Sequence, residues 1–141
     1  MRLRLTLIAC ALLVLVAASS AAAGPVRATM STSSTKPLAG TPWRFTVVVK
    51  ELAAGSLLAG RMRLQVLDGT TVVGCWKRGR IRACSGANAG TWISFKGRRT
   101  GVIAWQARYA TLRLTFQAIV VAGTPPLLLR APVTVQLPAK P

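Results

Sequence analysis

Apolar residues recur at every second position through most of this chain, and beyond its first residues no stretch shows helical spacing. Trp43, Phe45, Val47 and Val49 alternate with Arg44, Thr46, Val48 and Lys50. Period two sends successive side chains to opposite faces, so this segment reads as a strand with one apolar and one wetted face. Met62, Leu64 and Val66 alternate with Arg61, Arg63 and Gln65 in the same way. So do Leu112, Leu114, Phe116, Ala118 and Val120 with Arg113, Thr115 and Gln117. Asp68-Gly69 follows the second of these runs, and such a pair marks a type I′ hairpin turn, whose central residues both take positive φ. The return strand is expected over residues 71–76. Further strands are expected over 91–96 and 100–106, separated by Gly97-Arg98-Arg99, and over 127–137 after a turn at 122–126. Proline donates nothing to a ladder, so Pro132 places that last strand at an edge or a bulge. Seven or eight short strands with regular turns predict an all-β fold, a single antiparallel β-sandwich.

The first residues differ in kind. Arg2 and Arg4 precede an apolar run over residues 5–18, too short for the roughly 18–20 residues that span a bilayer. Ala21 and Ala23 supply the small residues that a signal peptidase requires. Residues 1–23 are therefore expected to be a cleaved signal peptide, with no transmembrane segment left after cleavage. The chain then divides into a Ser/Thr-rich lead-in over 24–34, one domain over 35–137 and a tail over 138–141. Leu7-Ile8-Ala9-Cys10 matches a lipoprotein box, which leaves a lipid anchor on Cys10 as the alternative.

Charge and inventory limit the chemistry. The chain holds 19 Lys and Arg against two acids, Glu51 and Asp68, and no His. Setting Arg2 and Arg4 aside leaves seventeen cations and a net charge of +15. Acid–base catalysis calls for a group that titrates near neutrality or for paired carboxylates, and neither is present. Glu51 ends a strand and Asp68 sits in a turn. Two isolated acids do not make a calcium site. Without Cys10, two thiols remain, Cys75 and Cys84, and an exported chain is expected to join them as a disulfide. A zinc site there would lack its remaining ligands. The expectation is a protein that is not an enzyme and has no cofactor or metal.

Residues 35–49, the hairpin at 66–73, the strand at 112–116 and Val133-Thr134-Val135 together resemble the exported bacterial Ig-like domains, in the style of filamin or fibronectin III sandwiches. The resemblance spans residues 28–137 and implies an adhesive, spacer or envelope module. The long-range cysteine pair of antibody domains is missing, since Cys75 and Cys84 stand nine positions apart.

Two surface features qualify that reading. Trp43 and Trp105 are expected in the core, whereas Trp76 and Trp92 border polar, Gly-rich stretches where a surface role is open. The stretch 75–84 predicts a disulfide-clipped hairpin. With Gly79-Arg80 as a type II′ turn, Cys75 faces Cys84 and Lys77 faces Arg82, and closing the ten-residue loop contributes about 2.7 kcal/mol in the chain-entropy model. Lys77, Arg78, Arg80 and Arg82 are then the candidate anion-binding residues. The expected role is a secreted, non-catalytic envelope or adhesion module with an unidentified protein partner. The alternative is a soluble binder of extracellular polyanions such as wall polymers, anionic lipid, acidic polysaccharide or the DNA backbone, with no sequence-specific nucleic-acid recognition.

N-terminal sequencing of exported material is expected to begin at Gly24. A lipid-modified Cys10 would establish the anchored form instead.

Overall fold

The computed structural model describes residues 25–123 and 125–141. The expected signal peptide over 1–23, with Cys10, lies outside the described residues. The elements run β1 Val26–Thr32, β2 Pro42–Glu51, β3 Ala59–Asp68, β4 Thr71–Lys77, β5 Arg80–Ala83, β6 Ile93–Lys96 and β7 Arg98–Ala104. They continue with a 3-10 turn Ala107–Tyr109, β8 Arg113–Val121 and β9 Leu127–Thr134. One sheet has the order β1-β2-β7, the other β5-β4-β3-β8-β9, with β6 also pairing β3. All strand pairs are antiparallel. Two parallel bridges, Leu38 with Gln136 and Ala110 with Val135, add to them at the ends.

The period-two faces meet between the sheets. Trp43, Phe45, Val47 and Val49 of β2 share one buried cluster with Met62, Leu64 and Val66 of β3 and Leu114, Phe116, Ala118 and Val120 of β8. At its centre the Phe45 ring lies 5.0 Å from Phe116, 5.9 Å from Trp76 and 6.4 Å from Trp43, centroid to centroid. Trp43 stands edge-on to Phe116 at 5.3 Å and to Trp105 at 5.5 Å, favoured geometries for aromatic pairs. Trp43 and Trp105 are core residues, each 1% exposed. The indole of Trp43 donates to the Ser34 carbonyl at 2.8 Å. Gly101, opposite Phe45 in the β2–β7 register, leaves the room the ring needs, because a Cβ there would run into it.

Three expectations need correction. The lead-in over 24–34 contains β1, so nine strands stand among the described residues and the sandwich begins at Val26. Its Ser/Thr content masked an alternation: Val26, Ala28 and Met30 pack against the core while Arg27, Thr29 and Ser31 face out. The turn after β3 is Gly69-Thr70, because Asp68 pairs with Thr71, and Gly69 alone takes positive φ at 61°. That is the type II′ pattern with Gly first. Gly97 by itself divides β6 from β7 and sends them to different sheets. It takes φ 80° with the Leu57 side chain closed over the place a Cβ would occupy. Pro132 lies in the edge strand β9, opposite Thr115, as expected.

Gly101→Ala is expected to destabilise the domain by about 1–3 kcal/mol, since Phe45 is hemmed in by three other rings and overpacking finds no relief. Chemical denaturation of the two proteins measures this. An unchanged midpoint would show that the ring has room to move.

Candidate anion-binding surface

The hairpin that carries the candidate residues adopts a different register from the expected one. Lys77 pairs with Arg80, Trp76 with Ile81, Cys75 with Arg82 and Gly74 with Ala83. Its turn is Arg78-Gly79, with φ 51° and 80°, the two positive values of type I′. The physical reason lies on the inner face. A Gly79-Arg80 turn would have directed Arg78 toward the core opposite Ile81. The observed turn moves Arg78 to the tip and leaves Trp76 and Ile81 side by side, 8% and 1% exposed. A one-residue change of register exchanges faces, so the buried pair decides it. Trp76 is thereby a core residue, its indole N–H 3.5 Å from the Val102 carbonyl. Lys77, Arg80 and Arg82 project from the outer face, and all four candidate cations are exposed and line one concavity.

The expected disulfide is present, but diagonal. Cys75 faces Arg82, and Cys84 lies two residues further along the same face, with Cα atoms 5.8 Å apart, inside the range a disulfide bridges. A bulge in β4 prepares this. Val66 pairs with Gly74 but Leu67 with Val72, so Val73 is an extra residue. Val72 and Cys75 therefore face the same way despite their odd spacing. With Leu67 they form a second small apolar cluster on the outer face, packed against Cys84 and Ala89.

The disulfide also starts a strap. Residues 84–92 leave β5 and cross the outer face to enter β6. Beneath the strap lies Gln65, 1% exposed. Its amide nitrogen donates to the carbonyls of Ala87 at 3.0 Å and Ala89 at 2.7 Å. Its oxygen accepts from Gln117 at 3.2 Å, and the Gln117 oxygen accepts from the Arg130 Nε at 2.8 Å. Arginine only donates and carbonyls only accept, so the two ends of this row determine the orientation of both amides.

Trp92, half-buried at the end of the strap, receives two guanidinium groups. The Arg63 Cζ stands 4.2 Å and the Arg61 Cζ 4.8 Å from its ring centroid. Arg63 also donates through Nη1 to the Asn88 carbonyl, while its buried Nε has no hydrogen-bond partner. Sequence reasoning placed Trp92 among the open cases and passed over Arg61, Arg63, Gln65, Gln117 and Arg130 as solvated positions. One signal was available: Trp92, Ser94 and Lys96 share the parity of an outward face. The strap that brings them beside β3 leaves no trace in local sequence.

Replacing both Cys75 and Cys84 with Ser is expected to cost about 2–3 kcal/mol and to open the strap first. Residues 85–91 contain no Lys or Arg, so a protease of broad specificity is the probe. Cleavage within 85–91 well before global unfolding is the expected result, and resistance there would mean that the Gln65 contacts hold the strap alone.

No protein-family model matches the chain, and no curated protein sequence does. Among solved structures it is similar to Spo0M, a sporulation control protein from Bacillus subtilis, at 12% identity and TM-score 0.45 over 80% of this chain. The chain spans 50% of the length of that Spo0M chain. It is also similar to a domain of the outer membrane lipoprotein Omp28 from Porphyromonas gingivalis, at 11% identity and TM-score 0.38, over 79% of this chain and 95% of the other. Likenesses this remote bring no activity to the chain.

Proposed function

We propose that this chain is a non-catalytic Ig-like module that works outside the cytoplasm and contacts anionic polymers of the envelope or its surroundings through the β4–β5 hairpin. With the short strands β5 and β6 set aside, seven strands remain, the first, second and fifth facing the fourth, third, sixth and seventh. That order supports the fibronectin III-style reading. The disulfide supports an oxidising compartment.

The observation that carries the binding reading is the convergence of Lys77, Arg78, Arg80 and Arg82 on one concavity with no carboxylate beside them. Asp68 lies at the opposite end of β4, and Glu51 closes β2. Like charges facing each other across strands destabilise a hairpin, and Lys77 faces Arg80. Burial of Trp76 and Ile81 and the disulfide offset that repulsion. The backbone that carries the cations is therefore held in place before any ligand arrives, so less ordering entropy is lost on binding.

Retention on a heparin matrix tests this. Changing Lys77, Arg78, Arg80 and Arg82 to Gln is expected to lower the eluting salt concentration well below that of a variant with Arg27, Arg44, Arg98 and Arg113 changed to Gln. Both sets are exposed and both remove four charges. Equal losses would mean that net charge alone is read. Salt-insensitive capture of an envelope protein would favour the adhesive role.

A further inference from the structure

We infer that Arg61, Ser94 and Lys96 form a second binding site, built for a tetrahedral oxyanion of the kind carried by phosphate and sulfate esters and organised by the ring of Trp92. The site goes beyond the hairpin contact and uses none of its residues.

The register brings the three donors together. Arg61 pairs with Ser94 across β3 and β6, and Ala59 pairs with Lys96. Trp92, Ser94 and Lys96 share an outward parity, and Arg61 and Arg63 do so on β3. Arg61, Ser94, Lys96 and Ala59 line one hollow together with Val121. The short side chains of Ala59 and Ser94 share that lining with the two long cations.

Trp92 supplies what an exposed arginine ordinarily lacks, a fixed orientation. The Arg63 contact to the ring and the Arg63 Nη1 donation to Asn88 fasten Trp92 against the strap. The strap is itself tied by the Cys75–Cys84 bond. Arg61 then lies against the same ring. A guanidinium lying against an aromatic ring keeps its N–H donors in its own plane, free for bidentate contact with an oxyanion. The Arg61 guanidinium makes no hydrogen bond among the described residues, so that fork is uncommitted. Trp92 and Arg63 are positioning residues, and Arg61, Ser94 and Lys96 are the binding ones.

Two positive side chains drawn to one ring repel each other, and neither acid of the mature chain is placed to separate them. An anion in the hollow offsets that repulsion. The donor set favours a tetrahedral group over a carboxylate. A carboxylate presents two coplanar oxygens, which one guanidinium satisfies alone. A phosphate or sulfate ester presents three free oxygens in different directions, matching a fork from β3 and an ammonium and a hydroxyl from β6.

The indole N–H resonance of Trp92 in the 15N-labelled exported protein reports on the site, with Trp92→Phe assigning it. At constant ionic strength, inorganic phosphate or sulfate is expected to shift it saturably and acetate at the same concentration is not. Arg61→Gln and Lys96→Gln should each weaken that response about tenfold, the loss of one charge-assisted contact. Both residues are exposed, and matched thermal melts confirm that the variants fold. The hairpin variant lacking Lys77, Arg78, Arg80 and Arg82 should respond like wild type. A soluble phosphodiester polymer and phosphatidylglycerol vesicles, titrated in parallel, tell a polymer source from a lipid headgroup. An unmoved Trp92 resonance, an equal shift with acetate, or an equal loss in Arg27→Gln would overturn the inference. Any of these leaves the heparin result untouched, and a heparin result that fails leaves the Trp92 titration untouched.

Discussion

The placement of the Phe45 ring is the constraint on which the rest of the molecule depends. It joins aromatic rings from both sheets, with Trp43 beside it on β2, Phe116 and Trp76 opposite, and Gly101 leaving space behind. Because Trp76 belongs to this cluster, the β4–β5 hairpin is drawn in toward β7. There the Trp76 indole meets the Val102 carbonyl, and Gln106 lies 3.4 Å from the Ile81 carbonyl. Once Trp76 and Ile81 point inward, Lys77, Arg80 and Arg82 have no choice but the opposite face. The presentation of charge outside is thus a consequence of aromatic packing inside.

A second layer is built on the outer face of the larger sheet, and it follows different rules. The main core is held by apolar burial. The strap is held by a disulfide, a three-residue apolar cluster and a row of side-chain hydrogen bonds that runs from Arg130 through Gln117 and Gln65 to the carbonyls of Ala87 and Ala89. A buried amide is costly when half satisfied and specifying when fully satisfied. Gln65 uses both ends of its side chain, which favours one seating of the strap. Everything that positions Trp92 rests on that seating.

Not all of the positive charge is gathered into the two proposed sites. Arg99 stands on the core side of β7, opposite Val47, yet remains exposed at the sheet edge. An inward-pointing charge on an edge strand discourages pairing with another chain. Arg27, Arg44 and Arg98 on the smaller sheet face solvent. Arg27, Lys50 and Arg98 line a hollow of their own on that sheet, but no aromatic ring among the described residues lies beside it to orient them, as Trp92 does for Arg61.

Local sequence determined the strands whose two faces differ in polarity. Trp43 to Val49 on β2, Met62 to Val66 on β3 and Leu114 to Val120 on β8 announce their buried faces by period two alone, and Pro132 announces an edge by its missing N–H. The disulfide followed from two cysteines and the expected compartment. β1 was hidden because Ser and Thr serve equally well in a loop and on the wet face of a strand. Gly-containing turns marked both hairpins, but their registers moved by one residue, since a turn pair only proposes a register and the buried side chains across the sandwich choose it. The diagonal geometry of the disulfide, the bulge at Val73, the Gln65 row and the meeting of Arg61 and Arg63 on Trp92 were decided by tertiary structure. Each depends on contacts between residues far apart in the chain, and no local pattern of polarity encodes which strand will become whose neighbour.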